Sequence, residues 1–170
     1  MKIAIADDYQ NCVRSLQCFA TLDGHDVTVF VEPADSEAQL ATRLADTEVL
    51  VVVRERISIT DTLLARLPKL KMISLVGRHS KKIDFDACTR RGVLVAHGLA
   101  SSPVAPAELT LAFMLAARRN VVLEATRMKA GLFPVTLSHR LAGSTLGIFG
   151  LGQIGRSEEH TSELQSRFGI

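Results

Sequence analysis

Six residues late in the chain, Gly150-Leu151-Gly152-Gln153-Ile154-Gly155, have the spacing of a turn that admits a phosphate to main chain. In such a turn the first glycine makes a tight bend and the second clears the approach of a pyrophosphate. The third lets the following helix pack closely. That helix would add amide donors and its dipole to hold the negative charge. Gly150, Gly152, Gln153, Ile154 and Gly155 are therefore the candidate dinucleotide-binding residues. The motif alone has little specificity. It gains weight from Ser144-Thr145-Leu146-Gly147-Ile148-Phe149 directly before it, which reads as a strand feeding the turn.

A second set of chemistry-bearing residues falls where apolar runs end. These are Asp7 and Asp8, then Arg54, then Gly77-Arg78-His79-Ser80, then His97-Gly98. In an open α/β sheet, ligands bind beyond the carboxyl ends of the strands. An arginine beside a glycine turn can hold a carboxylate through a charged fork and free backbone amides. On their own, Arg54 and Arg56 read equally well as solvated loop charges. Asp7 and Asp8 read as turn or capping residues rather than an acid–base pair. His25, His79, His97 and His139 have no carboxylate partner in sequence and read as surface or structural histidines.

The elements that must position these residues alternate between short apolar runs and amphipathic stretches, the pattern of a parallel sheet. Strands are expected at Lys2–Ala6, 27–30, Val49–Val53, 72–75 and 93–96. They are too continuously apolar for half-exposed strands, which predicts helices on both faces. Helices are expected at 12–19, 36–45, 60–67 and 84–91, with Thr60 and Asp84 as N-caps and Gly92 as a helix-ending glycine. The fold class is α/β: a flavodoxin-like doubly wound parallel sheet, followed by the start of a Rossmann dinucleotide-binding domain. Between them, 103–127 predicts one long helix, apolar on several faces and so buried between larger bodies.

Composition sets the outer bounds. The 170 residues are 47% hydrophobic and 22% charged, with a formal net charge of +2 and no long basic run, which argues against nucleic acid as a partner. No apolar stretch approaches the roughly 20 residues of a membrane helix, and the start is too short for a signal peptide. The expected compartment is the cytoplasm. Cys12, Cys18 and Cys88 make neither an even disulfide framework nor a metal-ligand cluster, so reduced thiols and no metal are expected.

Four stretches together carry a family resemblance: Leu70 to Gly77, Ile83 to Val93, Pro103 to Thr110 and Leu146 to Gly155. In order and spacing the chain resembles the D-isomer-specific 2-hydroxyacid dehydrogenases throughout residues 1–155. The resemblance implies reduction of a 2-oxo acid, or oxidation of the 2-hydroxy acid, with NAD or NADP, NAD being the first expectation. It implies that the amides of Val76 and Gly77 hold the substrate carboxylate and that Arg54 lies near the substrate. The long helix resembles the element that supports the family's homodimer. The family's catalytic arginine, glutamate and histidine lie beyond the glycine turn, so no catalytic residue is assigned within this chain. Arg78-His79-Ser80-Lys81-Lys82 departs from the usual family turn, which leaves the identity of the acid open. An alternative is a non-enzymatic dinucleotide-sensing, corepressor-type module; a self-contained flavodoxin-like regulatory domain is a third reading.

The expected organisation is a substrate domain over 1–100, an inter-domain helix with the first strand and turn of the nucleotide domain over 101–155, and a tail over 156–170. From Arg156 the sequence is polar where a dinucleotide turn should enter an apolar helix. Its residues up to Ser166 match a translated short-read sequencing adapter, so the tail is read as not belonging to the natural protein and the chain as a truncated, inactive fragment.

Overall fold

In the computed structural model, the described residues are 1–53, 56–77, 80–98, 102–150 and 152–156. The chain divides into two compact units, Met1–Ser101 and Ser102–Ile170.

The first unit is built on five parallel strands, β1 (Lys2–Ala6), β2 (Asp26–Val29), β3 (Val49–Val53), β4 (Met72–Val76) and β5 (Leu94–His97). Their spatial order is β2-β1-β3-β4-β5. Three helices connect them: α1 (Glu37–Leu44), α2 (Asp61–Ala65) and α3 (Phe85–Arg90). Chain direction across the sheet explains where those helices lie. The crossovers β2→β3, β3→β4 and β4→β5 all run one way, and right-handed crossovers put all three helices on one face. That face presents Ala4, Ala6, Leu50, Val52, Ile73 and Leu75, which pack with Ala41, Leu44, Leu63, Leu64, Ala87 and Cys88. Leu44, Leu50, Leu63 and Ile73 are fully buried, and each such side chain contributes about 1.5–3 kcal/mol.

The β1→β2 connection runs the other way and so belongs to the opposite face. Here the expected helix over 12–19 is corrected. Two short 3-10 segments, Val13–Ser15 and Gln17–Leu22, replace it, separated by Leu16 in extended conformation and burying no residue. On the opposite face Ile3 and Ile5 of β1 are buried, while Val49, Val51, Val53 and Met72 are half-buried. Helical segments thus serve both faces, as expected, but those of the second face are short 3-10 turns in place of an α-helix.

Helix starts follow local chemistry. The side chains of Ser36, Thr60 and Asp84 accept from the amides of Gln39, Leu63 and Ala87, as N-caps do. Gly92, with φ +68°, ends α3 where a left-handed residue is required.

The second unit contains α4 (Val104–Arg118) and α5 (Val121–Lys129). The single long helix expected over 103–127 is broken by Asn120, whose φ of +53° is left-handed and which is one of the few non-glycine types that tolerates that region. Nor is it buried: Ala107 is the one buried residue of α4, and Phe113 is 65% exposed. After α5 the chain runs back extended and is held by side chains of the helices. Glu124 Oε1 accepts from the amides of Val135 (3.2 Å) and Thr136 (2.7 Å) and from the Thr136 hydroxyl. Those bonds, the Thr136 hydroxyl foremost, hold the Glu124 carboxyl below its usual range. Arg127 Nε donates to the Phe133 carbonyl, Asn120 Nδ2 to that of Leu137, and Arg118 Nη2 to that of Arg140 and to Ser144 Oγ.

Residues 144–149, expected as a strand, form none. A strand exists only through its ladder, and among the described residues no second sheet stands beside this segment.

Candidate functional site

The carboxyl ends of β1, β3, β4 and β5 bring together most of the residues singled out by sequence. β4 ends at Val76, which is exposed, and leads into Gly77 at φ +127°. Nothing lies within 4 Å of a Cβ built on Gly77, so its backbone angle rather than crowding demands glycine. Val76 and Gly77 are both exposed at the carboxyl end of β4. Arg54 falls outside the described residues, as do Arg78 and His79.

Backbone bonds join the β3 and β4 loops. Ile59 and Ile83 form a parallel bridge, with the Ile59 amide donating to Lys82 O (2.7 Å) and the Asp84 amide to Ile59 O (3.0 Å). Ser80 is buried and its Oγ accepts from the Lys82 amide at 3.2 Å. The described segments that follow β3 and β4 thus share one short stretch of pairing at Ile59 and Ile83.

Asp7 and Asp8, treated alike in sequence, do different things. Asp8 caps: its Oδ1 accepts from the Cys12 amide (3.2 Å) and its Oδ2 from that of Val13 (3.0 Å). Asp7 caps nothing. Its carboxylate is 2.7 Å from Arg56 Nε, and the Arg56 guanidinium lies 4.5 Å from the Tyr9 ring centroid. Arg56 is therefore a paired cation and not merely a solvated charge. Residue separation hid this pair; strand order exposes it, because β1 and β3 are neighbours and both residues follow their carboxyl ends. His97 closes β5, with Nδ1 3.3 Å from the Gly98 carbonyl. Among the described residues no three His, Cys, Asp or Glu side chains group to hold a metal ion.

In the second unit, Gly150 has φ +89° and residues 153–156 turn helically, the Arg156 amide donating to Gly152 O at 3.1 Å. A Cβ on Gly155 would collide with the Gly150 carbonyl oxygen and lie 3.4 Å from Ile148 Cγ2. Two of the three glycines thus have a demonstrable reason: one for its backbone angle, one for closeness. Gly152, Gln153 and Ile154 are exposed at this turn. The bend does not follow a strand, contrary to expectation, so its geometry rests on the glycines themselves.

The sequence matches the family described as D-isomer specific 2-hydroxyacid dehydrogenase, catalytic domain, over residues 3–169. A phosphoglycerate oxidoreductase from Vibrio cholerae superposes with a TM-score of 0.89 at 47% identity, covering 96% of this chain and 53% of that one. D-3-phosphoglycerate dehydrogenase of Methanocaldococcus jannaschii is 34% identical over 71% of this chain and 23% of its own length. The human enzyme of the same name is 30% identical over 99% of this chain and 30% of its own. The chain thus spans about half of the solved relative and less than a third of these two curated ones. All three relatives carry oxidoreductase or dehydrogenase names; the sensor alternative has no counterpart among them.

Proposed function

The chain belongs to the D-isomer specific 2-hydroxyacid dehydrogenase family, and from that premise we propose that its protein interconverts a 2-hydroxy acid and the 2-oxo acid with NAD(H), or with NADP(H) as second choice. The observation that carries the reading is the Gly150–Gly155 bend, closed so tightly that only glycine fits at its end. Gly150, Gly152, Gln153, Ile154 and Gly155 are suited to cradle the cofactor's pyrophosphate, through bare main chain and the first amides of the helical turn. The nicotinamide supplies the hydride chemistry when bound. The work of this chain's residues is holding and orienting. The amides of Val76 and Gly77 take the substrate carboxylate, and Arg54 adds its charge, which fixes the reacting carbon. Proton transfer at the hydroxyl oxygen falls to the histidine, paired with its glutamate, that the family carries after its glycine turn, and the family's arginine there polarises the carbonyl and helps to hold the carboxylate.

Residues 1–100 serve in this reading as the substrate domain, 101–155 as the link and opening of the nucleotide domain, and 156–170 as an adapter-derived tail. Resequencing the locus tests the tail; finding its codons in genomic DNA ends that idea. The intact protein is proposed to be a homodimer in the cytoplasm. Support for the dimer comes from the exposed apolar side chains of α4 and α5, Phe113 at 65% and Val122 at 77% among them.

The test is NADH and NADPH oxidation by the intact gene product with glyoxylate, hydroxypyruvate and other 2-oxo acids. Turnover with a 2-oxo acid and faster reaction with NADH are expected. Absence of turnover with both cofactors across the panel rejects the reading.

A further inference from the structure

The turn that follows β4 carries more charge than holding one carboxylate requires. From Gly77 to Lys82 the sequence has three cations, Arg78, Lys81 and Lys82, and no acidic residue. Lys81 and Lys82 are exposed, yet the backbone on either side of them is anchored. On one side Ser80 is buried and its Oγ accepts from the Lys82 amide at 3.2 Å. On the other, the Lys82 carbonyl accepts from the Ile59 amide at 2.7 Å, and Ile83 is buried in its bridge with Ile59. Two exposed side chains thus leave a main chain that is fixed at both ends.

Neither ammonium has a carboxylate partner among the described residues. The other lysines of the first unit all pair, Lys2 and Lys69 with Asp46 and Lys71 with Glu48. The described acids nearest in sequence do not compensate the two that remain. Asp84 is engaged as an N-cap, accepting from the Ala87 amide at 2.8 Å, and Asp86 stands in the first turn of α3. A single solvated lysine on a surface calls for no explanation. Here two lie side by side, uncompensated, just past the carboxyl end of β4.

Position and charge together define what they suit. Four peptide steps separate Gly77 from Lys81, a chord of at most about 14 Å. A short acid held by its carboxylate at the turn and a lysine's flexible four-carbon stem can close that gap from both ends. Backbone amides are neutral and hold a single carboxylate without surplus. Two adjacent ammoniums beyond them add a positive field that a singly charged acid leaves unanswered and a second anionic group answers.

We propose, resting on the reading that Val76 and Gly77 take the substrate carboxylate, that Lys81 and Lys82 select an acid with a second anionic group, a phosphate, sulfonate or carboxylate, at the end remote from that carboxylate.

The intact protein tests this with 2-oxo acids that differ in the group on the third carbon. Pyruvate and hydroxypyruvate carry no second charge, whereas oxaloacetate, 3-sulfopyruvate and 3-phosphohydroxypyruvate carry a carboxylate, a sulfonate and a phosphate. At least one of these three is expected to exceed both monoanions in kcat/KM by roughly tenfold or more, mainly through KM. That lead should shrink in high salt, and the acid that gains most identifies the second anion. In the double variant Lys81→Gln, Lys82→Gln the lead should fall to within about threefold, with the melting temperature kept because both side chains are exposed. Lys71→Gln, which breaks the pair with Glu48 just before β4, should keep the lead. Equal kcat/KM across the series overturns the proposal and leaves the reaction standing; no turnover with any of the acids overturns both. A folded double variant that keeps the lead, or that changes only the preference between NADH and NADPH, also overturns it.

Discussion

Gly155 packs against the carbonyl of Gly150 with no room for a Cβ between them. Gly155→Ala must push the helical turn off the bend, because the obstacle is backbone and not a movable side chain. In the intact protein, NADH affinity is expected to fall by roughly tenfold or more, read by fluorescence titration. Thermal melting of the first unit should be unchanged. Unaltered affinity would remove the bend from the cofactor site.

The caps offer a second test. Thr60→Ala and Asp84→Ala each leave an amide, that of Leu63 or of Ala87, without its side-chain acceptor. Each is expected to cost about 1 kcal/mol, measured as a shift of the urea midpoint at constant slope.

These caps also mark the part of the fold that is legible in the sequence. Thr60, Asp84 and Gly92 act through residues three or four positions away, so their roles are local and visible in the order of residue types. The same holds for β1 and β3, whose apolar runs are continuous. What failed had two causes. The break at Asn120 has a local sign, an asparagine directly after Arg118 and Arg119, that the apolar pattern on either side overrode, whereas 144–149 needs a neighbouring strand to become one. The pairing of Asp7 with Arg56 spans the sheet and emerges only once β1 and β3 are known to be adjacent. Of the candidate site, the glycines were legible because backbone angle and closeness leave few other choices; Arg54, outside the described residues, stays an assignment by resemblance.

Thiol chemistry should separate the cysteines. Cys88 is buried, and that burial, followed by the nearby Asp84 charge, raises its pKa above the ordinary thiol value. A raised folded value means its stabilising contribution is full below the ordinary thiol pKa and is lost as pH climbs through the folded one. Exposed Cys18 should react with a thiol reagent at once, and Cys88 only after denaturant is added. Equal rates in native protein would contradict the packing of α3.

Acid should loosen the first unit. Asp46 is held below its ordinary pKa by hydrogen bonds from Lys69 and then Lys2, Glu48 by Lys71 and then the Lys2 amide, and Asp61 by Arg91. For lowered carboxylates the stabilisation is present above the ordinary range and disappears as pH falls through the folded values. Melting temperature is therefore expected to drop between about pH 5 and pH 3. Because these groups are solvent-exposed, added salt should shrink the effect. A melting temperature that rises with acid would contradict the sign.

The segment running back along α4 and α5 is gripped by its peptide groups almost alone: Arg118, Asn120, Glu124 and Arg127 hold carbonyls and amides, while Phe133 (88% exposed) and Leu137 (89% exposed) face outward. Anchorage and display are thereby uncoupled. The outward side chains can be exchanged in evolution or by design without loosening what fastens the segment, so this stretch can change its contacts faster than its path.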